Sequence, residues 1–157
     1  MNSAIERLLR LSVKDAMARD VVVIAAHATM SDAAETLFKS SISGAPVVDE
    51  QGHCVGILSA ADFVQREASR EEETEHELTQ DSPSRPYQVC AVADDLVSAH
   101  MTAAVQSIAE DVSLIDAGRV MCAGHVHRLP VLDEAGHVVG MVSSLDLVAA
   151  TIHAIEE

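Results

Sequence analysis

The sequence predicts an α/β protein built from two β-α-β-β-α repeats. Segments 13–64 and 97–148 align with each other without a gap when the chain is shifted by 84 residues. Each segment alternates between short β-branched runs and stretches in which apolar residues recur at helical spacing. Apolar residues make up 48% of the 157 residues, which is enough for a packed core. A duplicated unit is the simplest explanation of these observations.

The duplication is specific because identical residues recur at equivalent positions throughout the aligned segments. In the first segment these are Met17, Val21, Ile24, Asp32, Ala33, Pro46, Val47, Asp49, Glu50, Gly52, His53, Val55, Gly56, Ser59 and Asp62. In the second they are Met101, Val105, Ile108, Asp116, Ala117, Pro130, Val131, Asp133, Glu134, Gly136, His137, Val139, Gly140, Ser143 and Asp146.

The chain opens on a predicted helical segment at residues 1–12, where Glu6, Arg7 and Arg10 give an amphipathic pattern. Each repeat then begins with a β-rich run, VVVI at 21–24 and VQSI at 105–108. These runs predict the first strand of each repeat.

A helix is predicted to follow each first strand. It begins at Thr29-x-x-Asp32 or at Ser113-x-x-Asp116, where the hydroxyl can accept from a free backbone N–H group. Apolar residues at helical spacing then predict one buried face in each helix. They are Met30, Ala33 and Leu37 in the first repeat, and Leu114, Ala117 and Met121 in the second.

A hairpin and a last helix complete each repeat. Two apolar runs flank a polar stretch that contains Gly52 or Gly136, a pattern typical of a β-hairpin. The runs are 45–48 and 54–58 in the first repeat, and 129–132 and 138–142 in the second. The last helix is predicted to start near Ser59 or Ser143.

Between the repeats, residues 67–86 are rich in acids and then in Pro and Ser, which predicts a solvated helix end running into a flexible linker. An acidic partner-binding segment is the alternative. The expected domains are a helical segment at 1–12, a first domain at 13–68, an acidic linker at 69–92 and a second domain at 93–157.

Composition excludes several partners. A formal charge of −15 opposes binding to nucleic acid or to an anionic membrane surface, because both depend on clustered Lys and Arg. With 2% aromatic residues, the chain offers almost no surface on which bases could stack. A small anionic ligand stays compatible, since backbone N–H groups and one or two local cations can hold a phosphate. We expect no nucleic-acid partner and no membrane partner.

The three cysteines, Cys54, Cys90 and Cys122, lack metal-finger spacing, and neither a signal segment nor an apolar run of transmembrane length is apparent. We therefore expect a cytoplasmic protein. Cys122, His125 and His127 raise the alternative of a metal site. No fourth ligand is evident and the first repeat does not carry the set, so we expect no metal.

We also expect no enzyme activity and no required cofactor. Ser59 and Ser143 lack the Gly-x-Ser-x-Gly context of an activated serine, and neither a Gly-rich phosphate loop nor a His-Glu-x-x-His sequence occurs.

The repeat resembles the CBS domain family. The resemblance rests on the Met-led entry to the first strand, the Pro-Val pair of the second and the Asp-x-x-Gly-x-x-x-Gly hairpin. It also rests on the closing motif, which reads GILSAAD at 56–62 and GMVSSLD at 140–146. The family implies that two such units pack as a pseudo-twofold pair, the Bateman module, with two clefts between them. It also implies further association, so we expect a homodimer.

In family members that bind AMP, ATP or S-adenosylmethionine, the Asp of the closing motif receives the ribose hydroxyls. The preceding Ser or Thr lies near phosphate, and backbone before the second-strand Pro reads adenine. The resemblance therefore implies two ligand sites in this sequence. The first contains Gly44, Ala45, Ser59 and Asp62; the second contains Arg128, Leu129, Ser143 and Asp146.

An ionised Asp suits two adjacent hydroxyls, and a Ser at a helix start lies where free N–H groups point at an anion. Plain helix capping by the same Ser-x-x-Asp spacing is the alternative at both sites. We expect the second site to dominate. Arg128 offers a cation for phosphate where the first repeat has Gly44, and Thr102 offers a hydroxyl, matching a polar residue near the adenine pocket of the family, where the first repeat has Ala18. An ion pair on the surface is the alternative for Arg128.

The sequence thus predicts a non-catalytic regulatory module that binds an adenine nucleotide (AMP, ADP or ATP) or S-adenosylmethionine and signals to a separate, unidentified target protein. The alternative is a structural or protein-interaction module that dimerises without a small ligand. The sequence does not distinguish the two, because function belongs to the site rather than to the fold.

Overall fold

A computed structural model describes residues 3–78 and 95–156 of the chain, with side chains described outside 72–78. The elements are α1 Ser3–Arg10, α2 Val13–Ala16, β1 Ile24–Ala25, α3 Met30–Lys39, β2 Gly44–Val48, β3 Cys54–Ser59, α4 Ala60–Leu78, α5 Val97–His100, α6 Leu114–Gly124, β4 Arg128–Leu132, β5 Val138–Ser143 and α7 Ser144–Glu156. The fold is α/β with two related repeats, as predicted.

The chain divides into two compact units. Each unit combines the larger part of one repeat with the N-terminal segment of the other repeat, which we call its leading segment. The first-repeat unit comprises Val22–Gln51 and Val55–Ala104. The second-repeat unit comprises Met1–Val21, Gly52–Cys54 and Val105–Glu157. This exchange of leading segments decides which side chains meet at each candidate site.

In the first-repeat unit, β1, β2 and β3 form a three-stranded sheet in that order, and β1 runs parallel to β2. The core beneath it is formed by Ile24, Met30, Ala33, Leu37, Ala45, Val47, Leu58 and Val97. In the second-repeat unit, β4 and β5 pair in antiparallel fashion. Its core is formed by Val13, Met17, Ile108, Leu114, Ala117, Met121, Leu129, Val131 and Val142.

The predicted first strands are shorter than their β-rich runs. β1 starts at Ile24, and in the second repeat only Ile108 pairs, through a parallel bridge to Val131. Ile108 N–H donates to Pro130 O and Leu132 N–H donates to Ile108 O, both at 3.0 Å. Extending this ladder by one pair toward the N-terminus would require an N–H group from Pro130, which has none. The equivalent Pro46 limits β1 in the same way.

The predicted helix starts and hairpins are confirmed. Thr29 Oγ1 accepts from Asp32 N at 3.1 Å, and Ser113 Oγ accepts from Asp116 N at 3.0 Å. The hairpin glycines Gly52 and Gly136 have φ values of 83° and 84°, a backbone region that L-residues with side chains rarely adopt.

The Met-led segments lie along the third strands. In the first-repeat unit, Ile57 and Thr102 exchange backbone hydrogen bonds of 3.0 and 2.9 Å. In the second-repeat unit, Ala18 and Met141 exchange two of 2.9 Å. Each segment approaches closely because β3 and β5 carry a glycine there. A Cβ atom added at Gly56 would lie 2.9 Å from Thr102 O.

The N-terminal segment is helical, as expected, and Arg7 Nη2 donates to Ala154 O at 2.8 Å. The predicted helix end is also present, since α4 continues to Leu78, and residues 67–71 of it are exposed. The rest of the predicted linker, from 79 to 92, lies outside the described residues. Within 3–78 and 95–156, no helix is long and apolar enough to cross a membrane.

Candidate ligand-binding site

The closing motif of the first repeat lies at the junction of β3 and α4. Asp62 Oδ2 accepts hydrogen bonds from Ser59 N at 2.7 Å and from Ser59 Oγ at 3.2 Å. The Asp62 side chain therefore caps the free N–H group at the helix start. Asp62 is only 9% exposed, so its carboxylate is held in one position.

The second repeat shows the same arrangement at the junction of β5 and α7. Asp146 Oδ2 accepts from Ser143 N and from Ser143 Oγ, both at 2.7 Å, and Asp146 N donates back to Ser143 Oγ at 3.2 Å. Capping is thus present at both closing motifs. It uses one carboxylate oxygen, Oδ2, so the other oxygen can still accept from a ligand hydroxyl.

The structure brings Gly44 and Ala45 to the first closing motif. A Cβ atom added at Gly44 would lie 3.3 Å from Ser59 Cβ and 3.0 Å from Leu58 O. Ser43 O accepts from Ala60 N at 2.9 Å, which fixes the entry to β2 against the start of α4. Ala45 is buried, so any contact with a ligand would come from the backbone.

Arg128 and Leu129 are likewise placed beside the second closing motif. Arg128 lies opposite Ser143 in the antiparallel register, and Leu129 lies opposite Val142. The Leu129 side chain is fully buried, whereas Arg128 is half-buried. The four residues predicted for the second site are therefore neighbours.

Thr102 does not lie with Ser143 and Asp146, the site that it is expected to join from the repeat alignment. Its Oγ1 instead lies 3.5 Å from Asp62 Oδ1, which is longer than an ordinary O–H···O hydrogen bond but makes the two groups neighbours. The reason is the exchange of leading segments, which pairs Thr102 with Ile57 and pairs Ala18 with Met141. The hydroxyl that was expected to favour the second site belongs to the first.

A polar hollow of about 360 Å³ opens beside Asp62 and Thr102 in the first-repeat unit. It is lined by Asp62, Gln65, Arg66, Ser69, Ala99, His100, Met101 and Thr102. Its volume falls in the usual range for small-molecule sites, about 300 to 1,000 Å³. We refer to it as the Asp62 hollow.

The second-repeat unit lacks four of the polar side chains that line the Asp62 hollow. At the positions equivalent to Thr102, His100, Gln65 and Arg66 it has alanines. They are Ala18, Ala16, Ala149 and Ala150. The distribution of polar groups therefore favours the first-repeat site, in contrast to the expectation drawn from Arg128.

Three residues at the Asp62 hollow were not singled out from the sequence. Asp95 forms a salt bridge with Arg66, and its Oδ1 lies 2.5 Å from His100 Nε2. Burial raises the pKa of Asp95, but hydrogen bonds from Arg66 and His100 outweigh it, so the pKa lies below its usual value. Arg66 follows Asp62 by one helical turn, which was the one signal available in the sequence.

The alternative metal site has no geometric support. Among the described side chains, those of 3–71 and 95–156, no three His, Cys, Asp or Glu residues are arranged to hold a metal ion. Cys122 is exposed on α6, and His125 ends that helix in the left-handed conformation. The hairpin histidines His53 and His137 instead stack on each other, with ring centroids 4.9 Å apart.

A second hollow, of about 350 Å³, lies in the second-repeat unit. It is lined by Ala109, Glu110, Asp111, Leu132, Asp133, Glu134 and Val139. None of the predicted site residues lines it. Its lining contains four acidic residues and neither Lys nor Arg, so it offers no cation to a phosphate.

The duplicated β-α-β-β-α unit, closed each time by a capped Ser-x-x-Asp turn, defines a class of small α/β tandem modules. Comparison with known proteins identifies the family. The CBS domain model matches residues 13–69 and 93–153, so the chain belongs to the CBS domain family.

The relatives include both a small protein and an enzyme. A protein of Methanocaldococcus jannaschii, MJ1426, is 30% identical over 155 residues, covering 89% of this chain and 90% of its own. An inosine-5'-monophosphate dehydrogenase of Halobacterium salinarum is 29% identical over 139 residues, or 88% of this chain. The match spans only 23% of that dehydrogenase.

Solved structures of CBS-domain pairs share the fold. CBSX2 of Arabidopsis thaliana, crystallised in complex with AMP, has a TM-score of 0.72 at 22% identity, covering 93% of this chain and 98% of its own. The CBS domain pair of MJ0100, in complex with 5'-methylthioadenosine and S-adenosyl-L-methionine, has a TM-score of 0.70 at 24% identity. That match covers 88% of this chain and 98% of the other.

Proposed function

We propose that this chain is a non-catalytic regulatory module that binds an adenine nucleotide or a related adenosyl compound at the Asp62 hollow. The observation that carries the proposal is the position of Thr102 Oγ1, 3.5 Å from Asp62 Oδ1 at the edge of a polar hollow of about 360 Å³. An acceptor and a hydroxyl are thus held together where a small polar ligand can reach them.

The carboxylate geometry suits a ribose. Asp62 Oδ2 is occupied by the helix cap, which fixes the orientation of Oδ1 toward Thr102. An ionised carboxylate accepts hydrogen bonds only, so its free lone pairs match the two adjacent hydroxyls of a ribose. The entry to β2 at Gly44 lies against Ser59, and its backbone groups are proposed to contact the base.

The ligand class is supported by the relatives as well as by the chemistry. AMP accompanies CBSX2, and 5'-methylthioadenosine and S-adenosyl-L-methionine accompany MJ0100. All three carry adenosine, so candidates here are AMP, ADP, ATP and S-adenosylmethionine. Arg66 and His100 in the hollow favour the compounds that carry phosphate.

The second-repeat site, with Arg128, Leu129, Ser143 and Asp146, is proposed as a weaker site for the same class of ligand. It retains the capped Asp and gains a cation beside Ser143. It lacks the hydroxyl that Thr102 supplies to Asp62, because Ala18 stands in its place.

The second candidate function is a protein-interaction module, favoured by an apolar face on α7. Leu145, Val148, Ile152 and Ile155 recur at helical spacing and are 51 to 76% exposed. This face suits either the expected homodimer or a target protein. We propose that the chain acts in the cytoplasm on a target outside itself.

The first test is a thermal-shift titration of the full chain with AMP, ADP, ATP, NAD and S-adenosylmethionine, with GTP as the control for base specificity. A ligand at about 100 times its Kd adds about 2.7 kcal/mol to native stability, which corresponds to about 5 to 10 °C for a chain of this size. A shift with adenine compounds and none with GTP is expected. The absence of any shift would favour the protein-interaction module.

A matched pair of variants locates the site. Asp62→Asn and Asp146→Asn each weaken the same kind of helix cap, so they share the cost in stability. Only Asp62→Asn is expected to lower the affinity for an adenine ligand by about tenfold or more, because the amide oxygen stays on the Ser59 cap and an NH2 donor replaces the acceptor beside Thr102. Equal losses in the two variants would contradict the assignment to the first-repeat site.

A further inference from the structure

Arg66, Asp95 and His100 form a hydrogen-bonded polar cluster at the edge of the Asp62 hollow. Arg66 and His100 line the hollow, whereas Asp95 lies outside the lining and binds both of them. Arg66 projects from α4 one turn after Asp62, and His100 ends α5 two residues before Thr102. The guanidinium of Arg66 and the imidazole of His100 are therefore placed beside the acceptor and the hydroxyl proposed to hold a ribose.

The hydrogen bonding of Arg66 is incomplete. Its Nη1 donates to Glu67 at 2.9 Å and its Nη2 to Asp95, while its Nε is buried and has no hydrogen-bond partner among the described residues. An unpaired buried N–H group is costly, and such groups in folded proteins call for an explanation. A bidentate anion would engage Nε and one Nη together.

We infer that the Asp95 carboxylate competes with a phosphate group of the ligand for the side chains of Arg66 and His100. The inference rests on the proposed function and deepens it. When a phosphate takes these donors, Arg66 gains a partner for Nε and Asp95 is released to solvent. Asp95 then acts as an internal anion that sets how strongly the hollow selects phosphate over an uncharged adenosyl compound.

The location of Asp95 supports exchange rather than permanent burial. Its side chain is 22% exposed and that of Arg66 is 19% exposed, so both can rearrange at the surface. The Asp95 backbone is held independently, because Asp95 O accepts from Met30 N at 2.9 Å. The carboxylate can therefore leave Arg66 without unfolding the turn before α5.

The test compares AMP with adenosine, which differ by the phosphate alone, in isothermal titrations of the full chain at pH 7.5. Asp95→Asn keeps the side-chain size and removes the competing charge. We expect Asp95→Asn to raise the affinity for AMP by about tenfold and to change the affinity for adenosine by less than about twofold. Arg66→Gln is expected to lower the affinity for AMP by about tenfold while the affinity for adenosine stays within about twofold of wild type.

Asp111→Asn is the matched control, because it removes the same single charge from an exposed turn of the other unit. It is expected to leave both affinities unchanged, so that a change in net charge alone does not explain the gain in Asp95→Asn.

The outcomes separate this inference from the proposed function. Suppose that wild type binds both AMP and adenosine. The competition is then refuted, and the site stands, if Asp95→Asn leaves the affinity for AMP unchanged, lowers it, or raises the affinities for both ligands equally. If neither ligand binds wild type or any variant, both proposals fail. If circular dichroism shows that Asp95→Asn does not fold, the result for Arg66→Gln decides. An equal loss of affinity for AMP and for adenosine in that variant would overturn the inference.

Discussion

Replacing Gly56 with Ala tests the link between the exchanged segment and the site. A Cβ atom at Gly56 would lie 2.5 Å from Met101 Sδ and 2.9 Å from Thr102 O. Ordinary carbon contacts begin at about 3.5 Å. The segment from Met101 to Thr102 must therefore move away from β3 by roughly half an ångström or more. Thr102 Oγ1 is already 3.5 Å from Asp62 Oδ1, so this shift breaks the contact.

The expected cost in stability is that of overpacking, about 1 to 3 kcal/mol. For a chain of this size it lowers Tm by about 2 to 12 °C. Gly140→Ala supplies the matched control, because its Cβ would lie 2.5 Å from Met17 Sδ and 3.0 Å from Ala18 O. The two variants should lose similar stability, measured by calorimetry without ligand.

Ligand affinity should separate the two variants. Titration with the adenine compound that binds wild type is expected to show a loss of about tenfold in Gly56→Ala and little change in Gly140→Ala. The reason is that only the first displaces the hydroxyl beside Asp62. If Gly140→Ala loses affinity as much as Gly56→Ala, or if Gly56→Ala binds like wild type, the assignment of Thr102 to the site is wrong.

Asp146→Ala should lower the free energy of unfolding by about 0.5 to 2 kcal/mol through the lost helix cap, measured by urea denaturation, and a loss below that range would mean that the cap adds nothing. Leu58→Ala, at a fully buried position, should cost about 2 to 5 kcal/mol, whereas Val64→Ala, 70% exposed, should stay within about 0.5 kcal/mol. The pKa of Asp95 is lower in the folded chain than in the unfolded chain, where it is about 3.9. The ionised Asp95 therefore stabilises the folded chain above about pH 3.9, and this contribution is lost as pH falls through the folded pKa. Urea denaturation between pH 5 and pH 3 should therefore show a smaller loss in Asp95→Asn than in wild type; equal losses would mean that Asp95 is not stabilised by Arg66 and His100.

The sequence predicted the features that depend on neighbours along the chain. Thr29 and Ser113 cap helices that start where the Ser/Thr-x-x-Asp spacing placed them, and the hairpins turn at glycines with positive φ. The Ser59-x-x-Asp62 pair was likewise recognised, because a cap needs only residues three apart. These interactions are local, so the order of residue types is sufficient to specify them.

The strand lengths show where local reasoning falls short. The β-branched run at 21–24 predicted a full strand, but the ladder also depends on the partner strand, in which Pro46 lacks the N–H group that the next pair would need. The information was present in the sequence. It became usable only when the parallel register of β1 on β2 was known.

The composition of the site was decided by tertiary structure. By repeat alignment Thr102 belongs to the second repeat, yet it pairs with Ile57 and lies beside Asp62, because Gly56 allows a close approach there. Asp95 and His100 reach Arg66 by the same exchange of segments. The sequence alone determined the repeat, the caps and the acceptor at each closing motif. Which side chains surround each acceptor depends on contacts between distant parts of the chain, and only the folded structure specifies those.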